Sequence, residues 1–292
     1  MGSSNHTFGE SGFARTDDDR SLHYMVSGSG PVTVVFESGL GFSRSCWGLV
    51  QPAIARLTRA VVYDRAGFGD SEVDVAPRTI ARMARDLGAL LDHLGTGPFL
   101  LVGHSWGGPI IRRVAADMPG RVRGLVLVDP TDENCDLYFT SAVRRNFALT
   151  RSITPFLART GLYRALGSRP GRVQPADVAA DHSRDDFGIA GATAATAELA
   201  VFHPELEKLR DSAPEIGDIE VSLISGARAS RLERAQRLAI RAAHRRSVET
   251  FANARMIDAV TSGHSVMFEQ PQLVIDEIAT MLRLDTTRLP AR

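Results

Sequence analysis

The stretch FLLVGHSWGG at residues 99–108 decides the fold. Four apolar residues, Phe99 to Val102, are typical of a buried strand, and the glycine after them opens the pattern G-x-S-x-G around Ser105. Residues 110–118 then repeat apolar side chains at helical spacing and end at Pro119-Gly120. A strand before the serine and a helix after it predict a tight turn that lifts the hydroxyl above a sheet. The turn needs glycine on both sides because it leaves no room for a Cβ atom.

The chain around this turn alternates between two kinds of segment. Short apolar runs at residues 33–36, 60–63, 125–128 and 221–224 predict further strands, and each is followed by turn residues. Helical spacing appears at residues 80–94 and again at 273–282. Apolar strands that alternate with amphipathic helices indicate an α/β fold, in which helices cover both faces of a mostly parallel sheet.

Residues 131–216 break the alternation. They are rich in Arg, Ala, Gly and Pro and predict short helices near residues 141–149 and 194–202. We predict an α/β core of residues 1–130 and 217–292, with residues 131–216 as a helical lid, because catalytic loops collect where parallel strands end. Aromatic and apolar side chains of the lid either line a pocket or form a small core of their own: Phe139, Phe147, Phe156, Leu157, Phe187, Phe202 and His203.

Composition narrows the class of protein. Of 292 residues 43% are apolar, which is enough for a large core, and the 34 basic residues balance the 34 acidic ones. A neutral chain argues against nucleic acid as a partner. Lys208 is the one lysine. No apolar run is long enough to span a membrane, and Cys46 and Cys135 lie in no metal-binding spacing, so we expect a cytoplasmic protein with reduced thiols and no metal.

Two motifs together resemble the α/β-hydrolase superfamily. They are GHSWGG at residues 103–108 and DRAGFGDS at residues 64–71. The resemblance implies the α/β-hydrolase fold over about residues 20–285 and a hydrolytic reaction without a cofactor. Dehalogenases and epoxide hydrolases of the superfamily carry aspartate where Ser105 stands, so the serine favours acyl chemistry. Residues 64–71 are a supporting turn in this pattern, and we assign them no catalytic role.

Ser105 needs a base within hydrogen-bond reach, because a serine hydroxyl is a poor nucleophile at neutral pH. His264 follows the strand-like run at residues 255–260 and precedes the last helix, which is where the superfamily's catalytic histidine lies. The resemblance offers two places for the acid that orients the histidine. The loop after residues 221–224 has no carboxylate before Glu233, so Asp129, after residues 125–128, leads. The other candidate acids are Asp132, Glu133 and Glu233.

The predicted reaction also needs an oxyanion hole. By resemblance, the backbone amides of Leu40 and Trp106 supply it. We therefore predict a serine hydrolase that acts on a small-molecule acyl substrate, a carboxylic ester or else a lactone or thioester. Two alternatives stay open: an acyltransferase or cyclase with the same triad, and a non-hydrolytic small-molecule receptor. The sequence does not indicate the natural substrate or the oligomeric state.

Overall fold

Eight strands form one sheet in the computed structural model of the protein, which describes residues 6–283. The order across the sheet is β1-β2-β4-β3-β5-β6-β7-β8. Strands β3 to β8 run parallel, whereas β1 pairs antiparallel with β2, and β2 pairs antiparallel with β4. The strands are β1 Glu10–Arg15, β2 Ser21–Ser27, β3 Thr33–Glu37, β4 Arg59–Tyr63, β5 Phe99–His104, β6 Val122–Val128, β7 Glu220–Gly226 and β8 Ala254–Ala259.

The mostly parallel α/β sheet confirms the predicted fold class. The five predicted apolar runs form β3 to β7, and the run after them forms β8. Strands β1 and β2 were not predicted from the sequence. Most side chains of β1 are exposed, and β2 carries polar residues at both ends, so neither has a continuous apolar run.

Two hydrophobic cores lie on opposite faces of the sheet, because successive side chains of a strand point to opposite faces. Leu101 packs in the core shared with α2 and α3, whereas its neighbours Leu100 and Val102 pack in the core shared with α1 and α10. The helices outside the β6–β7 connection are α1 Gln51–Ala55, α2 Ile80–Leu94, α3 Gly107–Asp117, α8 Arg234–Thr250, α9 Val266–Glu269 and α10 Pro271–Leu282.

The connection from β6 to β7 is helical, and we call residues 131–216 the helical insertion. Its helices are α4 Ser141–Arg159, α5 Leu162–Gly167, α6 Ala176–Asp181 and α7 Ile189–Asp211, with one π-helical turn at His182–Asp186. Both α4 and α7 are longer than predicted, because Pro155 and Pro204 lie inside them without ending them. The two long helices pack against each other.

Buried polar contacts join the helical insertion to the core. The guanidinium of Arg44 lies 2.6 Å from Asp181 and 3.3 Å from Asp185. Asp186 accepts hydrogen bonds from the Ser43 amide and the Ser45 hydroxyl. Leaving one of these buried charges without its partner would be costly, so the contacts favour one placement of the insertion. No helix within residues 6–283 is long and apolar enough to cross a bilayer.

Candidate active site

Ser105 lies in the tight turn between β5 and α3. Its φ is +50°, and its amide donates a hydrogen bond to the Val128 carbonyl, which joins the turn to the end of β6. A Cβ atom on Gly103 would come within 2.7 Å of the Gly107 carbonyl oxygen. A Cβ atom on Gly107 would meet the Glu37 carbonyl oxygen at the same distance. Backbone atoms therefore exclude any side chain at both glycines.

Three residues from three strand ends meet above the sheet. His264, on the loop after β8, places Nε2 3.0 Å from the Ser105 Oγ. Its Nδ1 lies 2.6 Å from Asp129 Oδ2, at the end of β6. Since a carboxylate oxygen only accepts, Nδ1 carries the proton and Nε2 presents a lone pair to the hydroxyl. The arrangement has the geometry needed to deprotonate Ser105.

Asp129 accepts further hydrogen bonds besides the one from His264. The Gly226 amide donates to its Oδ1 at 2.8 Å, and Nη1 of Arg237 lies 2.8 Å from both oxygens. Burial alone would raise the pKa of Asp129, but the His264 hydrogen bond and nearby positive charge lower it below its ordinary value. The carboxylate therefore stays ionised. Sequence reasoning missed Arg237, because nothing local marks a residue 108 positions away as a partner of Asp129.

The three other candidate acids have different partners. Glu133 forms a buried two-bond ion pair with Arg112, at 2.7 and 2.8 Å. Asp132 accepts a hydrogen bond from the Asn134 amide. Glu233 is exposed and bonds to Ser230, although it lies at the rim of the same cavity as His264. Only Asp129 among the four candidates contacts the His264 ring.

His104 is buried beneath the turn that carries Ser105. Its Nε2 donates to the His264 carbonyl oxygen at 3.1 Å, and the two rings lie 4.7 Å apart. Burial and the charge of His264 lower the pKa of His104 to about 3, so its ring stays neutral. The neutral His104 ring adds no positive charge beside the His264 imidazole.

The two predicted oxyanion donors are backbone amides near Ser105. Within residues 6–283, neither the Leu40 amide nor the Trp106 amide donates a hydrogen bond to another protein group. Leu40 lines the cavity next to Ser105. The Trp106 indole is fully buried and packs against Phe202 with ring centroids 4.7 Å apart, so its side chain is part of the core.

A buried arginine fixes the loop that carries Leu40. Arg65 donates to the Ser38 carbonyl at 2.6 Å and to the Gly39 carbonyl at 2.7 Å. Because the N–H and C=O of a trans peptide point in opposite directions, holding the Gly39 carbonyl turns the Leu40 N–H away from Arg65. Glu198 of α7 accepts from Arg65 and from the Gly41 amide. The turn at residues 64–71 therefore supports the loop, through Arg65.

A cavity of about 920 Å³ opens above Ser105 and His264. One part of its wall is apolar: Leu40, Phe42, Leu137, Tyr138, Val143, Phe147, Leu199, Phe202 and Ile240. Another part is polar: Asn146, Arg228, Ser230, Glu233, Gln236, Arg237 and Glu269.

Of the lid side chains singled out in the sequence, Phe147 and Phe202 line the cavity. Phe156 is exposed instead, because it lies on the opposite face of α4. No cluster of metal-ligating side chains occurs in the described part of the chain.

Comparisons with known sequences identify the family. A sequence model of the "Alpha/beta hydrolase family" matches residues 34–277. A protein of Azorhizobium caulinodans named "Putative carbamate hydrolase RutD" is 35% identical over 111 residues, which are 38% of this chain and 42% of that protein. Haloalkane dehalogenase 2 of Mycobacterium tuberculosis is 36% identical over 107 residues, 36% of this chain and 37% of that protein. These matches span less than half of each relative's length.

Solved structures agree with the family assignment at the level of the fold. The epoxide hydrolase CorEH has a TM-score of 0.74 at 22% identity, covering 94% of this chain and 98% of that one. The haloalkane dehalogenase DatA of Agrobacterium tumefaciens has a TM-score of 0.75 at 19% identity, covering 96% and 99%. Identity this low shows that the fold is shared, and it carries no information about the substrate. The chain belongs to the alpha/beta hydrolase family.

Proposed function

We propose that the protein is a serine hydrolase that cleaves a carboxylic ester, or a lactone or thioester, through an acyl-enzyme on Ser105. One observation carries the proposal: a single imidazole, that of His264, lies 3.0 Å from the Ser105 hydroxyl and 2.6 Å from the Asp129 carboxylate. A serine, a base and an orienting acid in this geometry are the parts of a nucleophilic acyl-transfer site.

In the proposed reaction, Nε2 of His264 takes the Ser105 proton as Oγ attacks the substrate carbonyl carbon. The amides of Leu40 and Trp106 donate hydrogen bonds to the oxyanion that forms. His264 then gives its proton to the leaving group, and an acyl-enzyme remains. Water attacks this ester with His264 again as base, which releases the acid and restores Ser105. Asp129 stabilises the imidazolium in both halves of the reaction.

The helical insertion is proposed as a lid over this site. Val143 and Phe147 of α4 and Phe202 of α7 form part of the cavity wall, so the insertion covers the space that an acyl group would fill. The mixed wall suits a substrate with one apolar and one polar part. Because the relatives include one named for carbamate hydrolysis, a panel of substrates should contain carbamates beside esters, lactones and thioesters.

The test of the nucleophile compares Ser105→Ala with Ser230→Ala, a serine of the same cavity wall that contacts no triad member. With p-nitrophenyl esters we expect Ser105→Ala to lose several orders of magnitude in kcat. Ser230→Ala should keep most of the activity. Full activity in Ser105→Ala would refute the proposal.

Two further measurements separate the alternative functions. A fluorophosphonate probe should label Ser105 in the wild type, and an unlabelled Ser105 would favour the receptor. Product analysis with added alcohols or amines distinguishes water from another acyl acceptor, because an acyltransferase or cyclase forms the transferred or ring-closed product.

A further inference from the structure

The charge of the helical insertion is uneven. Residues 137–176 contain seven arginines and no lysine, aspartate or glutamate, although the whole chain is neutral. The arginines are Arg144, Arg145, Arg151, Arg159, Arg164, Arg169 and Arg172. Their opposite charges therefore lie elsewhere in the sequence, and a local excess of seven positive charges remains.

The structure leaves most of this charge without a partner. All of the seven except Arg144 are exposed, and Arg144 pairs with Glu207 at 2.5 Å. Arg164 bonds to the neutral Ser183 hydroxyl. Apart from Arg144, none of the seven forms an ion pair with any residue between 6 and 283. The outer surface of α4 and α5 therefore carries unpaired positive charge that faces solvent.

Large apolar side chains lie on the same surface. Leu149, Ile153 and Phe156 are 58%, 42% and 67% exposed, and their spacing of four and three residues places them on one face of α4. Arg145 lies one turn before this stripe, and Arg159 follows Phe156 by three residues. We call these five residues the basic apolar face. Leu162 and Leu166, one turn apart on α5, are also exposed.

We propose that the basic apolar face binds the surface of an anionic lipid bilayer, with the apolar stripe in the headgroup region and the arginines against the lipid charges. An amphipathic helix with aromatic and aliphatic residues on one face and arginines beside them is suited to this interface. The bilayer supplies negative charge and apolar depth in one plane. A symmetric dimer through this face would instead oppose the arginines of one copy to those of the other.

The basic apolar face and the cavity lie on different sides of α4. The helix turns Val143 and Phe147 toward the cavity and the apolar stripe toward solvent. One helix would thus lie between the bilayer and the acyl site, so an apolar substrate dissolved in the lipid would have a short route to the cavity. The binding itself does not depend on the hydrolase chemistry, so it can be tested in the Ser105→Ala variant.

Sedimentation of the full chain with vesicles tests the proposal. The probes are vesicles of phosphatidylcholine alone and vesicles with about a third phosphatidylserine, at low and high salt. We expect binding to the anionic vesicles that weakens with salt, and little binding to the neutral ones. Equal binding to both, or none to the anionic vesicles, would overturn the proposal.

Two variants locate the surface. Arg145→Gln with Arg159→Gln should weaken binding roughly fivefold per charge removed. Replacing Leu149, Ile153 and Phe156 with glutamine, a good helix former, should weaken it at least about tenfold. The matched controls are Arg56→Gln with Arg85→Gln and Phe13→Gln with Val75→Gln, exposed residues outside the insertion that should leave binding unchanged.

Two outcomes of the variant experiments would contradict the proposal. Unchanged vesicle binding in both insertion variants, with intact helical circular dichroism, would overturn the proposal because another surface would then hold the lipid. A monomer–dimer equilibrium that the stripe variant abolishes, without any binding to anionic vesicles, would assign the face to a second copy of the chain instead.

Discussion

Replacing His104 with glutamine should reduce the sensitivity of the fold to acid. His104 is buried beneath Ser105, and its pKa of about 3 lies far below the ordinary value for histidine, near 6.5. The cause is burial, which penalises the charged ring, together with the charge of His264. Glutamine places an amide N–H where Nε2 now donates to the His264 carbonyl, and it has no proton to gain.

The size of the effect follows from proton binding in the two states. Below about pH 6.5 the unfolded chain binds a proton at His104, whereas the folded chain does so only near pH 3. The stability that the neutral ring contributes is therefore complete above pH 6.5 and is lost as the pH falls toward 3. Between pH 7 and pH 5 this loss amounts to about 2 kcal/mol of unfolding free energy. The glutamine variant should lack this part of the loss.

Urea unfolding at pH 7 and pH 5, followed by fluorescence of the buried Trp47 and Trp106, measures the difference. The unfolding free energy of the wild type should fall by about 2 kcal/mol more than that of His104→Gln over this interval. His93→Gln, at an exposed histidine, is the control and should behave as the wild type. The same loss in the wild type and in His104→Gln would refute the reasoning, because His104 would then be protonated in the folded state.

Three further predictions test the site and its supports. Asp129→Asn should lower kcat for ester hydrolysis by about 10⁴-fold, because the histidine loses the acceptor that fixes its tautomer, whereas Glu233→Gln should stay within about threefold. A fall in both would contradict the assignment of the acid. Glu133→Gln leaves buried Arg112 unpaired and should cost about 3–5 kcal/mol in urea unfolding without changing kcat of the folded enzyme. Glu198→Gln should lower kcat by about 10- to 100-fold with KM nearly unchanged, since it loosens the loop that carries the proposed oxyanion donor. Unchanged kinetics would show that the Glu198 contact is dispensable.

The central strands were predictable because each is buried on both faces and therefore reads as a continuous apolar run. The edge strand β1 differs from the central strands. Side chains of β1 are largely exposed, so its six residues carry no pattern that distinguishes a strand from a loop. The long helix α8 was also missed, because its arginine-rich sequence buries few side chains, Ile240 and Ala243 among them.

The serine and histidine of the candidate site were predictable because each stands in a local setting: one in a glycine-flanked turn, the other on a loop before the last helix. The acid could only be ranked from the sequence, with Asp129 first among four candidates, since several carboxylates lie near the end of β6 and their sequence neighbours do not show where each points. The contacts that distinguish Asp129 come from Gly226 and Arg237, which are distant in sequence.

The same reasoning explains why the side chains that support the loop carrying Leu40 were not found from the sequence. Arg65 lies in a turn whose glycines give it a recognisable pattern, but its acceptors are carbonyls, which every residue has. Glu198 lies 133 residues away, in a helix where a glutamate is ordinary. Only the folded chain shows that these two side chains meet behind the loop.

The bond from Glu198 to Gly41 has a consequence for redesign. Exchanging the segment between β6 and β7 for that of a relative is an obvious route to new substrates, yet the carboxylate that holds the Leu40 loop belongs to the exchanged part. A chimera that lacks it would bury Arg65 with one counter-charge fewer. We expect productive grafts to be those whose incoming helix restores an acidic side chain at this point.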